Sequence, residues 1–296
     1  MQPRVLVISP VHNEGAHIAG VARAMAAQEL PPARWVVLDD ASSDDTEAVL
    51  RGMADEIPFL TVLSSADAPD LEDAPDRLAR AAAPRAFNRA LATVDWREYT
   101  HVMKLDGDIS LAPDYLATLM ARFAADPELG MACGDLYEVD PDGSERRLPI
   151  PPTHVHGALK CYTNACFSAI GGVQNRLGWD TIDETYARMH GYKTRNFGDI
   201  TGIHHRHLAT ADGVLRGRAR HGECAYIAHF TLTWVAMRAV KVGRSRPRGI
   251  GGVAFLYGYV RAAARRVERV PDAEFRRFVH RELRGRILRA ARLRPA

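Results

Sequence analysis

Two aspartates flank a glycine in Asp106-Gly107-Asp108, directly after the apolar run His101-Val102-Met103-Lys104-Leu105. Carboxylates one residue apart at the end of a buried strand can share a hard cation, and the glycine lets the backbone turn closely. Mg²⁺ or Mn²⁺ held there would bridge diphosphate oxygens and stabilise the charge that develops on a departing nucleoside diphosphate. Taken alone, the triplet is also an ordinary polar turn. Two more polar clusters follow apolar runs. Asp39-Asp40 closes Trp35-Val36-Val37-Leu38. A carboxylate at that place can accept hydrogen bonds from a base N–H or a ribose hydroxyl, or form an Asx turn leading to a helix cap at Ser42 or Ser43. Asn13-Glu14 come soon after Pro10, at the end of Val5-Leu6-Val7-Ile8, and in isolation can simply cap the next helix.

The elements that must carry these groups follow from the apolar patterning. Val5–Ile8, Trp35–Leu38 and Phe59–Leu63 read as strands, with helices expected over about Gly15–Gln28 and Thr46–Met53 between them. This alternation describes an open parallel sheet with helices on its faces, whose ligands bind at the carboxyl ends of the strands. Pro10–Glu14 and Asp39–Asp45 both fall at such ends. Ser64–Asp76, rich in Asp, Ala and Pro, is expected to be a loop. A helix over Pro84–Thr93 then leads to the strand His101–Leu105, and a further helix is expected over Ala112–Asp126. Met131–Ile170 is mixed and broken at Pro149-Ile150-Pro151-Pro152; from about Gly222 the pattern is helical and arginine-rich, interrupted by Gly243–Gly252.

The chain has 296 residues, 47% hydrophobic and 25% charged, enough to bury a real core. Its four cysteines, Cys133, Cys161, Cys166 and Cys224, form no CxxC pair or zinc-finger spacing and read as reduced thiols of a cytosolic protein. No signal peptide is evident at the start, and the longest apolar stretches, Ile227–Val240 and Ile250–Ala264, fall short of a membrane span. The net charge of +3 conceals a strong asymmetry: residues 213–296 carry 20 Lys+Arg against 5 Asp+Glu, and the remainder 19 against 31. An acidic body with a basic tail points to an anionic partner for the tail.

In order, spacing and strand context, Pro10-Val11-His12-Asn13-Glu14, Asp39-Asp40-Ala41-Ser42-Ser43-Asp44-Asp45-Thr46 and Asp106-Gly107-Asp108 resemble the family 2 glycosyltransferases. The first two match that family's P-x-x-N-E and D-D-x-S-x-D-x-T elements, with alanine in place of the commoner glycine at position 41. The resemblance covers roughly residues 4–205. It implies an α/β fold of GT-A type: an open mixed, mostly parallel sheet with flanking helices, followed by a C-terminal helical arginine-rich segment. The corresponding domains are 1–212 (a nucleotide-sugar-binding half, 1–110, and an acceptor-side half, 111–212) and the basic helical region 213–296. The implied activity is inverting, metal-dependent transfer of a sugar from a nucleotide donor, UDP-sugar ahead of GDP- or dTDP-sugar.

The resemblance also implies roles residue by residue. Pro10, Asn13 and Glu14 would line the nucleoside pocket and Asp40 would contact the base. Asp108 would hold the Mn²⁺ or Mg²⁺ ion, and Asp106 would meet the ribose or the metal. Arg85 and Asn88 fall where the family has a basic residue and an asparagine. Arg85 is the diphosphate candidate, with Arg80 and Arg89 competing. A base must also take the acceptor's proton. The block Gly171–Tyr192 is similar to the family's acceptor-side segment and places that role on Asp180, with Trp179 where glutamate is usual and Asp183 as competitor; as a plain N-cap, Asp180 or Thr181 would start a helix over Ile182–His190. In His204-His205-Arg206-His207, histidines near this position complete the metal or diphosphate site in GT-A enzymes, with His205 preferred; the run equally suits a solvated loop. His154 and His156 read as structural or acceptor-side.

In the tail, Phe230, Leu232, Trp234, Val235, Met237 and Val240, then Phe255, Leu256, Tyr257 and Tyr259, stand beside clustered arginines. Such helices suit an anionic membrane interface, or else pack on the catalytic domain. The leading expectation is therefore an enzyme of cell-surface polysaccharide synthesis with a glycan or lipid-linked acceptor, cytoplasmic and peripheral at the inner membrane face. A non-catalytic nucleotide-sugar-binding relative is the alternative. A nucleotidyltransferase would open on a glycine-rich phosphate loop, which Pro10–Glu14 lacks. A nucleic-acid-binding protein using the basic tail is disfavoured: the tail has no recognition motif and the body is acidic.

Overall fold

The computed structural model describes residues 2–65, 81–140, 142–206, 213–244 and 248–292. The strands are β1 (Val5–Val11), β2 (Arg34–Asp39), β3 (Leu60–Ser64), β4 (His101–Leu105), β5 (Ile109–Leu111), β6 (Leu129–Val139), β7 (Glu145–Leu148), β8 (Leu159–Thr163) and β9 (Lys193–His204). The helices are α1 (Gly15–Ala26), α2 (Thr46–Ala54), α3 (Ala82–Leu91), α4 (Tyr115–Ala125), α5 (Asn164–Ala169), α6 (Trp179–Met189), α7 (Val214–Ile227), α8 (Leu232–Gly243), α9 (Ile250–Ala264) and α10 (Ala273–Arg292). The loop expected over Ser64–Asp76 and the competing Arg80 lie almost wholly outside the described residues, as does His207.

Among the described residues one nine-stranded sheet runs β3-β2-β1-β4-β8-β6-β9-β5, with β7 beside β6. The β3-β2-β1-β4 half is parallel. Beyond β4 the sheet becomes mixed, since β8 runs antiparallel to both β4 and β6 while β9 runs parallel to β6. This is the expected α/β arrangement. β1 and β2 are buried because both of their faces are covered, which is why their residues are apolar without alternation. α1 buries Ile18, Val21, Ala22 and Met25, a spacing that gives a single helical stripe. Trp35, fully buried, satisfies its indole N–H on Ser9 Oγ at 2.9 Å.

The chain contacts divide into two units: Met1–Asn175 with His190–His207, and Arg176–Met189 with the C-terminal residues from Leu208. In this grouping α6 accompanies the C-terminal helices rather than the sheet. The cause is packing: Ile182 shares a buried cluster with Ile227, Val270, Phe275, Val279 and Leu283. Arg188 adds an ion pair at 2.7 Å to Glu282 of α10. A second cluster in this unit joins Ala225, Val235, Ala239, Phe255 and Tyr259. No described helix is long and apolar enough to cross a membrane.

Candidate functional site

The parallel register Val11↔Asp39 and Ile8↔Lys104 carries three polar segments to one sheet edge. The first two are knitted together by backbone-to-side-chain bonds. The N–H groups of Asn13, Glu14 and Gly15 donate to Ser42 Oγ (2.8 Å), Thr46 Oγ1 (2.8 Å) and Asp44 Oδ2 (3.0 Å). In return Ser43 N donates to Asn13 Oδ1 at 2.8 Å. Serine, threonine, aspartate and asparagine serve here because their short side chains reach orphan backbone groups at tight turns. Asn13, expected in the nucleoside pocket, thus spends its side-chain oxygen on the loop, and its φ of 55° bends the chain there. Asp39 is also occupied, accepting from Ser42 Oγ and Ser42 N. Asp40 is the carboxylate that lines the cleft.

That cleft, of about 210 Å³, is lined by Pro10, Val11, His12, Glu14, Asp40, Ala82, Ala83, Ala86 and Asp106-Gly107-Asp108. His12 Nδ1 donates to the Asp40 carbonyl at 2.8 Å. Arg89, one helical turn beyond Ala86 on α3, lies 3.5 Å from Asp40 Oδ1, whereas Arg85 is exposed. Asn88 bonds Val173 O and Asn175 Oδ1, both at 2.7 Å, and so ties α3 to the segment after α5. Gly107 has another reason than a special turn: a Cβ there would sit 2.5 Å from Val11 Cγ1.

At the carboxylate pair, β5 pairs with β9 so that Ile109 faces His204. This brings His204 Nε2 to 3.3 Å from Asp108 Oδ2, with Glu138 Oε1 3.8 Å from the other ring nitrogen. The imidazole at Asp108 is therefore His204. His205 lies against Ser110 Oγ at 2.8 Å and stacks on His17. Arg206 reaches back to Glu14 Oε2 at 2.7 Å and stands 3.7 Å from Asp108 Oδ2. Lys104, fully buried, is ion-paired with Asp106.

The charges are crowded. Burial pushes the Glu14 carboxyl up to about 7, and the charge on Asp108 adds to this against the pull of Arg206. Burial also raises Asp106, with Asp108 adding and Lys104 opposing. Burial works against Asp108 too, but His204 and then Arg206 hold it below the usual carboxylate range. His204, in spite of burial, is raised by Asp108. Glu14, Asp106 and Asp108 line the cleft, Glu14 and Asp106 kept from ionising freely, and oxygen donors are the set that Mg²⁺ and Mn²⁺ prefer. Among the described residues no three His, Cys, Asp or Glu side chains form a ready-made cage.

Asp180 and Asp183 lie on α6, in the second unit. Asp183 is buried and accepts from Glu184 N at 2.6 Å, while Asp180 in the first turn stays half-buried. His221 of α7 is held below its usual range by burial, with the charge of Asp180 acting the other way. His154 and His156 belong to the 149–158 segment that enters β8. Sequence reasoning assigns Lys104 and Arg206 no role of their own, and within the run His204–His207 it favours His205 over His204. For Lys104 a signal existed, since a lysine two residues before Asp106 in an apolar strand shares its face.

A model of glycosyl transferase family 2 matches residues 6–176, more than half of the chain. No curated protein matches it. Among solved structures, the chain is 19% identical to the mannosyltransferase PcManGT from Pyrobaculum calidifontis in complex with GDP-Man and Mn²⁺, covering 99% of this chain and 81% of that one at a TM-score of 0.57. TarS 1-349 from S. aureus in complex with UDP-GlcNAc is 16% identical, with 88% and 73% covered at 0.54. GalNAc-T7 with UDP, GalNAc and Mn²⁺ is 13% identical, with 97% and 57% covered at 0.60. These likenesses are likenesses of fold.

Proposed function

The chain belongs to glycosyl transferase family 2, and from that membership we propose that it moves a sugar, with inversion, from a nucleoside-diphosphate donor to a glycan or lipid-linked acceptor. That it is a glycosyltransferase follows from the family. The observation that carries the finer reading is the convergence of Asp40, Glu14, Asp106 and Asp108 on a single cleft at the carboxyl edge of the sheet. A UDP-sugar is the first donor to try, since UDP or a UDP-sugar accompanies two of the three solved neighbours and GDP-Man the third.

Asp40 receives the base, with Pro10 and Val11 as the wall beside it. Asp108 and Asp106 hold Mn²⁺ or Mg²⁺, the ion that neutralises charge on the leaving diphosphate when bound. His204, 3.3 Å from Asp108 Oδ2, orients that carboxylate as an outer partner of a ligating carboxylate does. Arg85 of α3 is the cation for the diphosphate, with Arg89 of the same helix, beside Asp40, as its competitor. Asp180 takes the proton from the acceptor hydroxyl; its partial exposure supports it over the buried Asp183. The setting is cell-surface polysaccharide synthesis, with the enzyme cytoplasmic and peripheral at the inner membrane face.

The test is release of nucleoside diphosphate from UDP-, GDP- and dTDP-sugars with a panel of glycoside acceptors. The expected result is release with one nucleotide class that stops on chelation. Asp180→Asn should lower kcat by about a hundredfold or more with donor affinity kept. Absence of release and of donor binding with every nucleotide would count against the proposal.

A further inference from the structure

Helix α9 is apolar on two sides. Phe255, Gly258, Tyr259 and Ala262 are buried within the second unit, and the packing there is close enough to exclude side chains. A Cβ at Gly258 would stand 1.8 Å from the Ala219 carbonyl oxygen, and one at Gly222 1.9 Å from that of Phe255. The opposite side carries Ile250, Val253, Tyr257 and Val260, which are 55%, 66%, 59% and 61% exposed. Their spacing of three, four and three places them on a single helical stripe. On α8, Leu232 and Val240 are likewise 72% and 61% exposed. Phe255, Tyr259 and Val235, which the sequence places with these residues, belong to the core instead.

Charge identifies what covers this stripe. Residues 224–267 contain eight Lys and Arg and no Asp or Glu. Lys241, Arg244, Arg248 and Arg265, which flank the apolar positions along the chain, are exposed. A second copy of the face would set like charges against each other, whereas a bilayer of anionic headgroups complements both the aliphatic stripe and its cationic border. We propose that α9 docks in the interface of an anionic lipid bilayer, with Val253, Tyr257 and Val260 at the acyl boundary and Lys241, Arg248 and Arg265 on lipid phosphates. This rests on the peripheral placement proposed above, and names the surface responsible.

The experiment is flotation of the full chain with vesicles of phosphatidylcholine, alone and mixed with phosphatidylglycerol. The variants are Val253→Asp/Tyr257→Asp and the milder Val253→Ser/Tyr257→Ser. Unchanged thermal unfolding and unchanged donor binding report that each variant is folded. The wild type should float with the anionic vesicles, less at high salt, and the aspartate pair should cut the partition coefficient by about tenfold or more, with serine intermediate. Wild-type flotation that both variants retain would overturn the α9 surface while leaving peripheral binding standing. Failure of the wild type to float would overturn both. A dimer in solution that the aspartate pair dissolves, without lipid binding, would assign the stripe to a second copy and overturn the proposal.

Discussion

At Glu14, lost solvation and the charge of Asp108 oppose ionisation, and the carboxyl titrates near 7 instead of the ordinary 4.5. An acid raised in the folded state binds a proton that the unfolded chain has already released, so ionising it on folding is unfavourable. The penalty is absent below about pH 4.5, grows as pH rises, and is complete above about 7, where it amounts to roughly 3 kcal/mol. In metal-free buffer, Glu14→Gln should therefore gain stability relative to the wild type as pH is raised from 5 to 8, measured by urea unfolding at each pH. A difference that stays flat across that range would contradict the crowding of carboxylates described here. Of these residues, Asp40, Asp106 and Asp108 were legible because their segments directly follow apolar runs. His204 was not: the choice between adjacent histidines is made by the β5–β9 register, which places Ile109 opposite His204, and no local pattern records a long-range pairing. Arg206 was hidden for the same reason.

Among the elements, the turn after β2 sets an alanine where a glycine fits the backbone without strain. Ala41 sits at φ 57°, in the left-handed region that side chains with a Cβ adopt at about 1–2 kcal/mol. Ala41→Gly should stabilise the first unit by about 1 kcal/mol, part of the relief being offset by the freer unfolded chain. Urea unfolding should show a higher midpoint at unchanged slope, with donor binding preserved. A lower midpoint would mean that the turn is held by something other than backbone preference. Strands β1 to β4 and helices α1 to α4 were legible to within a few residues, since β1, β2 and β4 are apolar runs and α1 has a clean stripe. The 131–170 region was not, because β6, β7 and β8 pair antiparallel and β7 is largely exposed, so its residues carry no burial pattern.

For the whole molecule, the division of labour follows charge. The acidic residues gather in the sheet-containing part, where Asp40, Asp106 and Asp108 face one cleft, and the basic ones in the helical tail. The asymmetry was legible in the composition. The grouping of α6 with the tail was not, because Ile182 meets Phe275 and Val279 across nearly a hundred residues of chain. We propose that donor and cation meet at Asp106 and Asp108. Thermal unfolding of the wild type and Asp108→Ala with UDP-, GDP- and dTDP-sugars, each with and without Mn²⁺, decides this. A ligand present at about a hundred times its Kd should stabilise the folded state by about 2.7 kcal/mol. The expected result is stabilisation by one nucleotide class that requires Mn²⁺ and disappears in Asp108→Ala. Equal stabilisation of the two proteins, or none by any donor in either, would contradict it.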